Sequence, residues 1–420
     1  MKIIADLHIH SKHSQATGKE LNIANLEKYA KIKGIDMLGS GDFTHPKWIV
    51  ELKKELVSEE DGIYRTATGF PFILQTELSL IYTQGGRGRR IHNVVLAPNF
   101  EVVGQITEYL LKHGRIDYDG RPIFKIPCPE FVESLRQISN KIEVIPAHIW
   151  TPWFSMFGSM SGFDTVRECF GDQTKHIHAL ETGLSSDPAM NWRLSQLDKY
   201  ALVSSSDLHS FWPWRIGREA TIFDIDLKYD NLLKALRTKE GITETIEVDP
   251  NYGKYHYDGH RNCNISMSPV ETKKYKGICP VCNKALTIGV LSRVEELADR
   301  PEGFMPKDAI PFRSLIPLSE IISKILGKGI ATKTVWTEYN KLLEKFGSEM
   351  NILVDAEYNK LVRITDEKIA SAIVNIREGK LEIKAGYDGE YGVPIFSKEQ
   401  KVKKGVEIKP RQLQTDLSDF

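Results

Sequence analysis

Between residues 1 and about 240, short apolar runs alternate with segments whose apolar residues recur at helical spacing. Residues 25–34 predict an amphipathic helix that closes on a glycine. The apolar runs predict strands over residues 2–7, 36–39, 72–79, 92–97, 142–147, 178–182 and 200–204. Strands that alternate with helices indicate an α/β fold with a mainly parallel sheet, either open or closed into a barrel.

Most of these strands end in a residue type that binds metal ions. In β/α barrels the active site is assembled from the C-terminal ends of different strands, so this recurrence predicts a metal site. A single histidine at a strand end is more often a hydrogen-bonded structural residue, but a whole series is not explained that way. Imidazole and carboxylate together suit zinc, manganese or iron rather than calcium. The series comprises His8, His10, Asp42, Glu77, His148, Glu181, Asp207 and His209, with His92 opening a further strand.

The composition changes near residue 248, where aromatic, glycine and histidine residues precede a C-x-x-C turn. Cys279 and Cys282 form that turn, and Cys263 supplies a third thiolate, which predicts a structural zinc site. His260 is our preferred fourth ligand because H-x-x-C mirrors C-x-x-C, while His256 and Asp258 remain alternatives. Helical spacing follows at residues 292–298, 318–326 and 335–346. We therefore divide the chain into a metal-dependent catalytic domain (1–240), a zinc module (248–290), a mainly helical domain (291–395) and a flexible tail (396–420).

The composition excludes several classes of protein. A hydrophobic share of 41% with 27% charged residues is sufficient for a core, which argues against wholesale disorder. The apolar runs are too short for a membrane helix, and the first residues turn polar too soon for a signal peptide. Five cysteines among 420 residues do not form a disulfide framework. We expect an intracellular, cytoplasmic protein, and its zero net charge does not exclude nucleic acid.

The H-x-H start, the glutamate after a middle strand, the separate histidines and the late D-x-H resemble the PHP (polymerase and histidinol phosphatase) superfamily. The resemblance implies a distorted β/α barrel whose metal centre hydrolyses phosphoesters. By position, His8, His10, Glu77 and Asp207 would hold one metal, and Glu77, His92 and His148 a second. His209 would serve a third, and His8, His10, Glu77, Asp207 and His209 would carry the catalysis. Many members of the superfamily read T-D-H where this chain reads GDF. The candidates for the third metal are therefore Asp42, His45 and His13. His13 could instead be a solvated loop residue.

Residues 277–299 (GICPVCNKALTIGVLSRVEELAD) and 148–153 (HIWTPW) resemble the endonuclease Q family, over residues 1 to about 392. The resemblance implies a DNA repair endonuclease that cleaves 5′ of abasic sites and of uracil, hypoxanthine or xanthine, with the lesion base flipped out. A water activated by two or three divalent metals would attack the phosphodiester. These metals would be zinc, manganese or iron, and the activity could also require magnesium. The alternatives are a small-molecule PHP phosphatase, which leaves the zinc module without a role, and a non-catalytic DNA-binding scaffold.

Aromatic and cationic residues next to the predicted metal ligands are candidates for binding damaged DNA. Ordinary packing is the alternative for the aromatic residues, and a solvated hairpin turn is the alternative for the GGRGRR segment at 85–90. The DNA-binding candidates are Arg87, Arg89, Arg90, Trp150, Trp153, Phe154, Trp212, Trp214 and Arg215. The chain ends in QTDLSDF, which resembles the clamp-binding (PIP) box and implies that a sliding clamp (PCNA) contacts Gln414, Leu417 and Phe420.

Overall fold

The computed structural model describes residues 2–396 and has the predicted α/β fold. The strands are β1 (Lys2–Asp6), β2 (Met37–Gly39), β3 (Leu56–Glu60), β4 (Ile63–Thr66), β5 (Pro71–Gln84), β6 (Arg87–Ala97), β7 (Ile123–Phe124), β8 (Glu143–Pro146), β9 (Ala179–Glu181), β10 (Ala201–Val203), β11 (Ala220–Asp224), β12 (Ile242–Glu247), β13 (Asp258–His260), β14 (Ile265–Met267), β15 (Phe312–Ser314), β16 (Glu382–Lys384) and β17 (Val393–Ile395).

The helices surround this sheet and form most of the C-terminal region. They are α1 (Ile23–Lys33), α2 (Pro46–Glu55), α3 (Phe100–Leu111), α4 (Cys128–Ile138), α5 (Val166–Phe170), α6 (Pro188–Asn191), α7 (Tyr229–Thr238), α8 (Pro269–Lys274), α9 (Val290–Leu297), α10 (Leu318–Leu326), α11 (Lys333–Phe346), α12 (Tyr358–Leu361) and α13 (Glu367–Arg377). No helix among the described residues has both the length and the apolar character needed to span a membrane.

The sheet closes into a distorted barrel, and β1 is one of the strands in its wall. β1 pairs in parallel with β2 and antiparallel with β11, β2 pairs in parallel with β5, and β6 pairs antiparallel with β5 and β8. The parallel pair of β9 and β10 lies between β8 and β11. The Ile149 amide donates to the Glu181 carbonyl on one side (3.1 Å), and the Ser204 amide donates to Thr221 Oγ1 on the other (2.9 Å). Antiparallel pairs therefore interrupt the parallel ones, which the alternation of elements does not predict.

Burial of alternate apolar side chains fixes the register of the barrel strands. In β1, Ile3 and Ala5 are fully buried in one apolar cluster, which also takes in Met37 of β2 and Phe223 of β11. Because side chains alternate between faces, a slip of one residue would turn these groups away from that cluster. The register therefore also fixes where each strand ends and which side chains follow it.

The C-terminal region is joined closely to the barrel. β15 extends the barrel sheet by pairing in parallel with β12. α10 spans the predicted 318–326, and α9 and α11 lie within two residues of the predicted helical segments. Near the end of the described residues, β16 and β17 form an antiparallel pair. The clamp-binding residues Gln414, Leu417 and Phe420 lie outside the described residues.

Candidate metal centre and adjoining cavity

Two groups of metal-binding side chains come together in the barrel; most of them follow the C-terminal end of a strand, whereas Glu77 lies within β5 and His92 within β6. His8, His10, Glu77 and Asp207 form the first group, and Glu77, His92 and His148 form the second. Within each group the potential ligand atoms lie within 4.8 Å of one another. The six residues that the PHP resemblance assigns to the first two metals therefore come together as expected, although they are up to 199 positions apart along the chain.

Glu77 joins the two groups through its two carboxylate oxygens. Oε2 lies 3.1 Å from His10 Nε2 and 3.5 Å from His8 Nε2. Oε1 lies 2.8 Å from His92 Nδ1 and 3.2 Å from His148 Nε2. A carboxylate with one oxygen toward each group has the arrangement needed to bridge two metal ions.

The donor set fits metal ions on chemical grounds. His8 Nε2 is buried without a hydrogen-bond partner among the described residues, and it points toward Glu77 and Asp207. A buried polar nitrogen without a partner is costly, and a metal bond would satisfy it. Imidazoles and carboxylates are ligands of zinc, manganese and iron, so these two groups can hold such ions.

Buried carboxylates orient the two histidines of the H-x-H motif. His8 Nδ1 lies 3.0 Å from both carboxylate oxygens of Glu181, and His10 Nδ1 lies 3.0 Å from Asp42 Oδ1. Asp42 also accepts hydrogen bonds from the backbone and hydroxyl of Ser11. A hydrogen bond to one ring nitrogen fixes the tautomer and leaves the other nitrogen free to bind a metal. Asp42 and Glu181 thus support ligands and lie outside both groups.

The charges in the site keep its carboxylates ionised. Burial by itself would raise the pKa of the Glu77 carboxyl, but its interactions with His92, Arg121 and His8 hold that pKa well below its usual value. Burial would likewise lower the pKa of His8, yet the surrounding carboxylates raise it well above its usual value. Burial lowers the pKa of His92 to about 4, so this ring stays neutral and able to bind a metal at neutral pH.

Arg121 is a site residue that the sequence did not suggest. Its Nη1 donates to Glu77 Oε2 at 3.0 Å, and its side chain remains 25% exposed. It lies between α3 and β7, outside the strand ends on which our sequence analysis concentrated. A guanidinium that touches the bridging carboxylate and still reaches solvent can also contact a phosphate.

Three strand-end residues of the site have left-handed backbone conformations that are uncommon outside glycine. The φ angles are +32° at His148, +47° at Asp207 and +40° at Asp42. Such conformations cost about 1–3 kcal/mol each and persist only where the surroundings enforce them. Gly183 is part of these surroundings, because a Cβ at this glycine would lie 2.5 Å from His148 Cβ. The strain accordingly clusters where the side chains converge.

The candidates for a third metal are close to the two groups but form no further group among residues 2–396. His13 stacks on His45, with ring centroids 4.3 Å apart, and its Nε2 lies 3.5 Å from Glu51. His209 packs on His10 at 4.5 Å, and its Nδ1 lies 3.0 Å from the Asp207 carbonyl. A role for His13, Asp42, His45 or His209 as a metal ligand stays a prediction.

The four predicted zinc ligands come together at the β13–β14 hairpin. Potential ligand atoms of His260, Cys263, Cys279 and Cys282 lie within 4.8 Å of one another, and Cys282 Sγ is 3.4 Å from His260 Nδ1. The backbone amide of Lys284 lowers the pKa of the Cys282 thiol, which favours the thiolate that binds metals. Asp258 is engaged elsewhere, accepting hydrogen bonds from Gly289 and Ser292.

A cavity of about 270 Å³ adjoins the metal groups. His148 and Asp207 form one end of its lining. Most of the remaining lining comes from three other parts of the chain: the loop after His209, the segment before the zinc ligands, and α10 with the residues before it. Residues 183–185 after β9 and Tyr391 before β17 add to it. The contacts are made by Trp214, Arg215, Arg218, Tyr252, Lys254, Tyr255, Ile316, Pro317, Glu320 and Tyr391, among others.

The predicted DNA-binding aromatic residues differ in their exposure. Trp150 is only 1% exposed, packs on Phe157 and donates its indole N–H to Asn191, so its prediction as a DNA contact is wrong. Trp153 and Phe154 are half-buried near the site, and Phe154 packs on His92 at 4.8 Å.

Trp212 and Trp214 stack on each other with ring planes 2° apart and centroids 5.3 Å apart. Trp212 is 38% exposed, and Trp336 of α11 contacts both rings. These three indoles form an aromatic cluster between the barrel and the C-terminal helices. Trp336 was not predicted, because a tryptophan at helical spacing resembles any core residue.

The GGRGRR segment is a hairpin rather than a loop. Gly85 and Gly86 have positive φ angles at the turn, and the arginines lie on β6. Arg89 donates to the Gly162 carbonyl and lies over the Phe163 ring at 4.0 Å. Arg87 and Arg90 are exposed, with Arg90 5.6 Å from the Phe154 ring. The segment therefore has the hairpin geometry of the alternative interpretation, and a role for its exposed arginines in binding DNA stays a prediction.

Comparison with other proteins extends over nearly the whole chain. The YqxK protein of Bacillus subtilis, which is uncharacterised, is 31% identical over 417 residues, covering 93% of this chain and 98% of the relative. The uncharacterised MJ0043 of Methanocaldococcus jannaschii is 36% identical over 259 residues, and this chain spans 32% of its length. The model of the MJ0043 C-terminal domain family matches residues 317–380, within the helical region.

Two solved structures match the fold along its length. The lesion-specific endonuclease PfuEndoQ from Pyrococcus furiosus aligns with a TM-score of 0.85 and 32% identity, covering 97% of this chain and 98% of that one. An endonuclease Q bound to a 27-mer duplex substrate with an abasic lesion at its active site aligns with a TM-score of 0.84 and 32% identity, covering 97% and 99%.

Proposed function

Because this chain belongs to the endonuclease Q family, we propose that it is a metal-dependent DNA repair endonuclease. It would hydrolyse the phosphodiester bond 5′ of abasic sites and of the deaminated bases uracil, hypoxanthine and xanthine. The observation that carries this proposal is the cavity that runs from His148 and Asp207 to the zinc-module segment and α10. A barrel phosphatase for small metabolites has no need of these additional walls.

The cavity suits an extrahelical base. A base inside the duplex cannot be inspected, so an enzyme that acts at a damaged base flips it into a pocket. Trp214, Tyr252 and Tyr391 supply aromatic surface, and Arg215 and Lys254 supply positive charge. The cavity volume of about 270 Å³ is close to the lower end of the usual range for small-molecule pockets.

The two ligand groups would hold the active-site metals. Bound metal ions would lower the pKa of a water molecule and neutralise charge on the attacking and leaving oxygens. Glu181 and Asp42 would keep His8 and His10 in the ligating tautomer. Arg121 would balance the charge of Glu77 and bind the phosphate. The donor set favours zinc, manganese or iron, and His260 with the three cysteines would hold a structural zinc ion.

Exposed cations and aromatic residues would bind the flanking DNA. Arg87 and Arg90 lie near the turn of the β5–β6 hairpin, and the site residue His92 follows two residues after Arg90 on β6. The tryptophan pair at 212 and 214 offers a flat surface on which an unpaired base can stack. Phosphate contacts of this kind fix the position of the duplex without reading its sequence.

The first experiment incubates the protein with 5′-labelled duplexes that carry one central abasic site, deoxyuridine or deoxyinosine, with and without Mg²⁺, Mn²⁺ or Zn²⁺. We expect one nick 5′ of each lesion, none in the undamaged duplex, and loss of the nick in Asp207→Ala. Asp230→Ala, which changes an exposed aspartate paired with Lys141, is the matched control and should behave like the wild type. Turnover of a small phosphomonoester without any nick would instead favour the phosphatase.

The C-terminal sequence supports a second partner. QTDLSDF retains the spacing of a clamp-binding motif, and one helical turn would bring Leu417 and Phe420 onto the same face. We expect a synthetic peptide of residues 410–420 to bind a purified PCNA-type clamp in a calorimeter. A peptide with alanine at 417 and 420 is the control, and equal binding by both peptides would refute the proposal.

A further inference from the structure

Glu320 lines the cavity and belongs to none of the potential metal-binding groups among the described residues. It belongs to the first turn of α10, and Asp207 is the other carboxylate in the lining. Asp207 is already assigned to the first ligand group. Glu320 therefore places a carboxylate acceptor in the part of the cavity that the metal chemistry does not use.

The carboxylate is held in place with one oxygen to spare. The hydroxyl of Tyr252 donates to Glu320 Oε2 at 2.5 Å, which fixes the orientation of the group. Glu320 Oε1 has no hydrogen bond to any residue from 2 to 396. Arg215 lines the same cavity, and its guanidinium likewise has no hydrogen bond or ion pair within the described part of the chain. An acceptor and a multiple donor are thus both available in one small space.

Deamination changes the hydrogen-bonding edge of a base in one defined way. Cytosine and adenine present an unprotonated ring nitrogen next to an amino group, so the ring position accepts and the exocyclic position donates. In uracil and hypoxanthine the same ring nitrogen carries a hydrogen and stands beside a carbonyl. The lesion therefore offers a donor next to an acceptor, which is the complement of a carboxylate and a guanidinium.

We propose that Glu320 accepts the ring N–H of a flipped deaminated base while Arg215 donates to the neighbouring carbonyl. This inference rests on the proposed function and names the residues that select the lesion. An undamaged cytosine or adenine would set its ring lone pair against the carboxylate and its amino group against the guanidinium. A site with unpaired buried polar groups rejects such an analogue strongly. Thymine and guanine share the lesion's pattern, so Glu320 separates uracil from cytosine and hypoxanthine from adenine, but not xanthine from guanine.

The test compares substrates within each variant, because an abasic site has no base to read. We expect Glu320→Ala to lower cleavage at deoxyuridine and deoxyinosine roughly 10- to 100-fold, with a much smaller decrease, about threefold or less, at an abasic site. Glu320→Gln keeps an acceptor oxygen and should recover part of the loss. Lys324→Ala, an exposed residue one turn further along α10, is the matched control.

Each outcome decides between the possibilities. An equal decrease on all three lesions would mean that Glu320 acts through the structure of the cavity, and an unchanged deoxyuridine rate would mean that it does not read the base. Either result overturns the inference and leaves the proposed function in place. A wild-type protein that nicks none of the three duplexes would overturn the proposed function itself.

Discussion

A buried ion pair joins the barrel to the C-terminal helices, and its removal should destabilise the protein strongly. Lys33, the last residue of α1, is 1% exposed, and its Nζ donates to Glu349 Oε1 at 2.6 Å and to the Pro213 carbonyl at 2.9 Å. Glu349 also accepts hydrogen bonds from Leu318 and Tyr339. The contact is possible because residue 34 is a glycine, with φ at +91°, so the end of α1 can approach Ser348 closely. A Cβ on residue 34 would lie only 2.8 Å from the hydroxyl oxygen of Ser348.

We expect Lys33→Met to lower the free energy of unfolding by about 3–5 kcal/mol, because it leaves the Glu349 carboxylate buried without a counter-charge. Glu349→Gln should cost a similar amount for the opposite reason. The double variant should cost clearly less than the sum, since neither charge then remains unpaired. Lys31→Met is the matched control on the same helix: Lys31 is 51% exposed and pairs with Glu27, so its removal should cost less than about 1 kcal/mol.

Urea unfolding followed by tryptophan fluorescence would measure these differences, since Trp212, Trp214 and Trp336 lie at the same junction. The reasoning is refuted if Lys33→Met unfolds at the same urea concentration as Lys31→Met, or if the two single effects simply add. The hydrogen bond from Lys33 to Pro213 gives a second readout. Its loss should loosen the loop that carries both tryptophans, and duplex binding should weaken.

Three further predictions concern other parts of the chain. Burial, assisted by Asp187, raises the pKa of Glu247 from 4.5 to about 8. The stability of the protein should therefore fall as the pH rises from about 5 to 9. Glu247→Gln should remove that fall, and in thermal unfolding at about pH 9 it should be more stable than the wild type. Cys282→Ser should reduce bound zinc, measured by atomic absorption, and lower the melting temperature, whereas Cys169→Ser should leave the zinc content unchanged. Arg87→Ala with Arg90→Ala should flatten the salt dependence of duplex binding in a titration by up to about two counterions, and an unchanged slope would exclude phosphate contacts.

The sequence was sufficient to predict a shared metal centre from local rules, although Glu77 and His92 lie within β5 and β6 and not at strand ends. A buried strand has to end where polar residues begin, and a strand-end histidine or carboxylate in a barrel points to a shared centre. The strand-end pattern singled out His8 and Glu77, and the PHP resemblance placed His92 in a group with Glu77 without any knowledge of contacts. The zinc ligands were equally predictable, because the spacing of Cys279 and Cys282 is itself the geometry of the site.

Residues whose roles depend on contacts between distant segments could not be predicted. Arg121 reaches Glu77 from a loop, and Trp150 is buried although it lies two residues after the ligand His148. Neither the residue type nor the spacing distinguishes a buried residue from an exposed one in such cases.

The cavity belongs to the same class of feature, since α10 and the Tyr252 segment approach the barrel through long-range packing, including the buried Lys33–Glu349 pair. The metal ligands are specified by local sequence, whereas the base pocket depends on tertiary contacts. We therefore expect that substitutions can change the base pocket without changing the metal centre. Substitutions at the junction of barrel and C-terminal helices should therefore alter which lesion is cleaved before they alter whether an abasic site is cleaved.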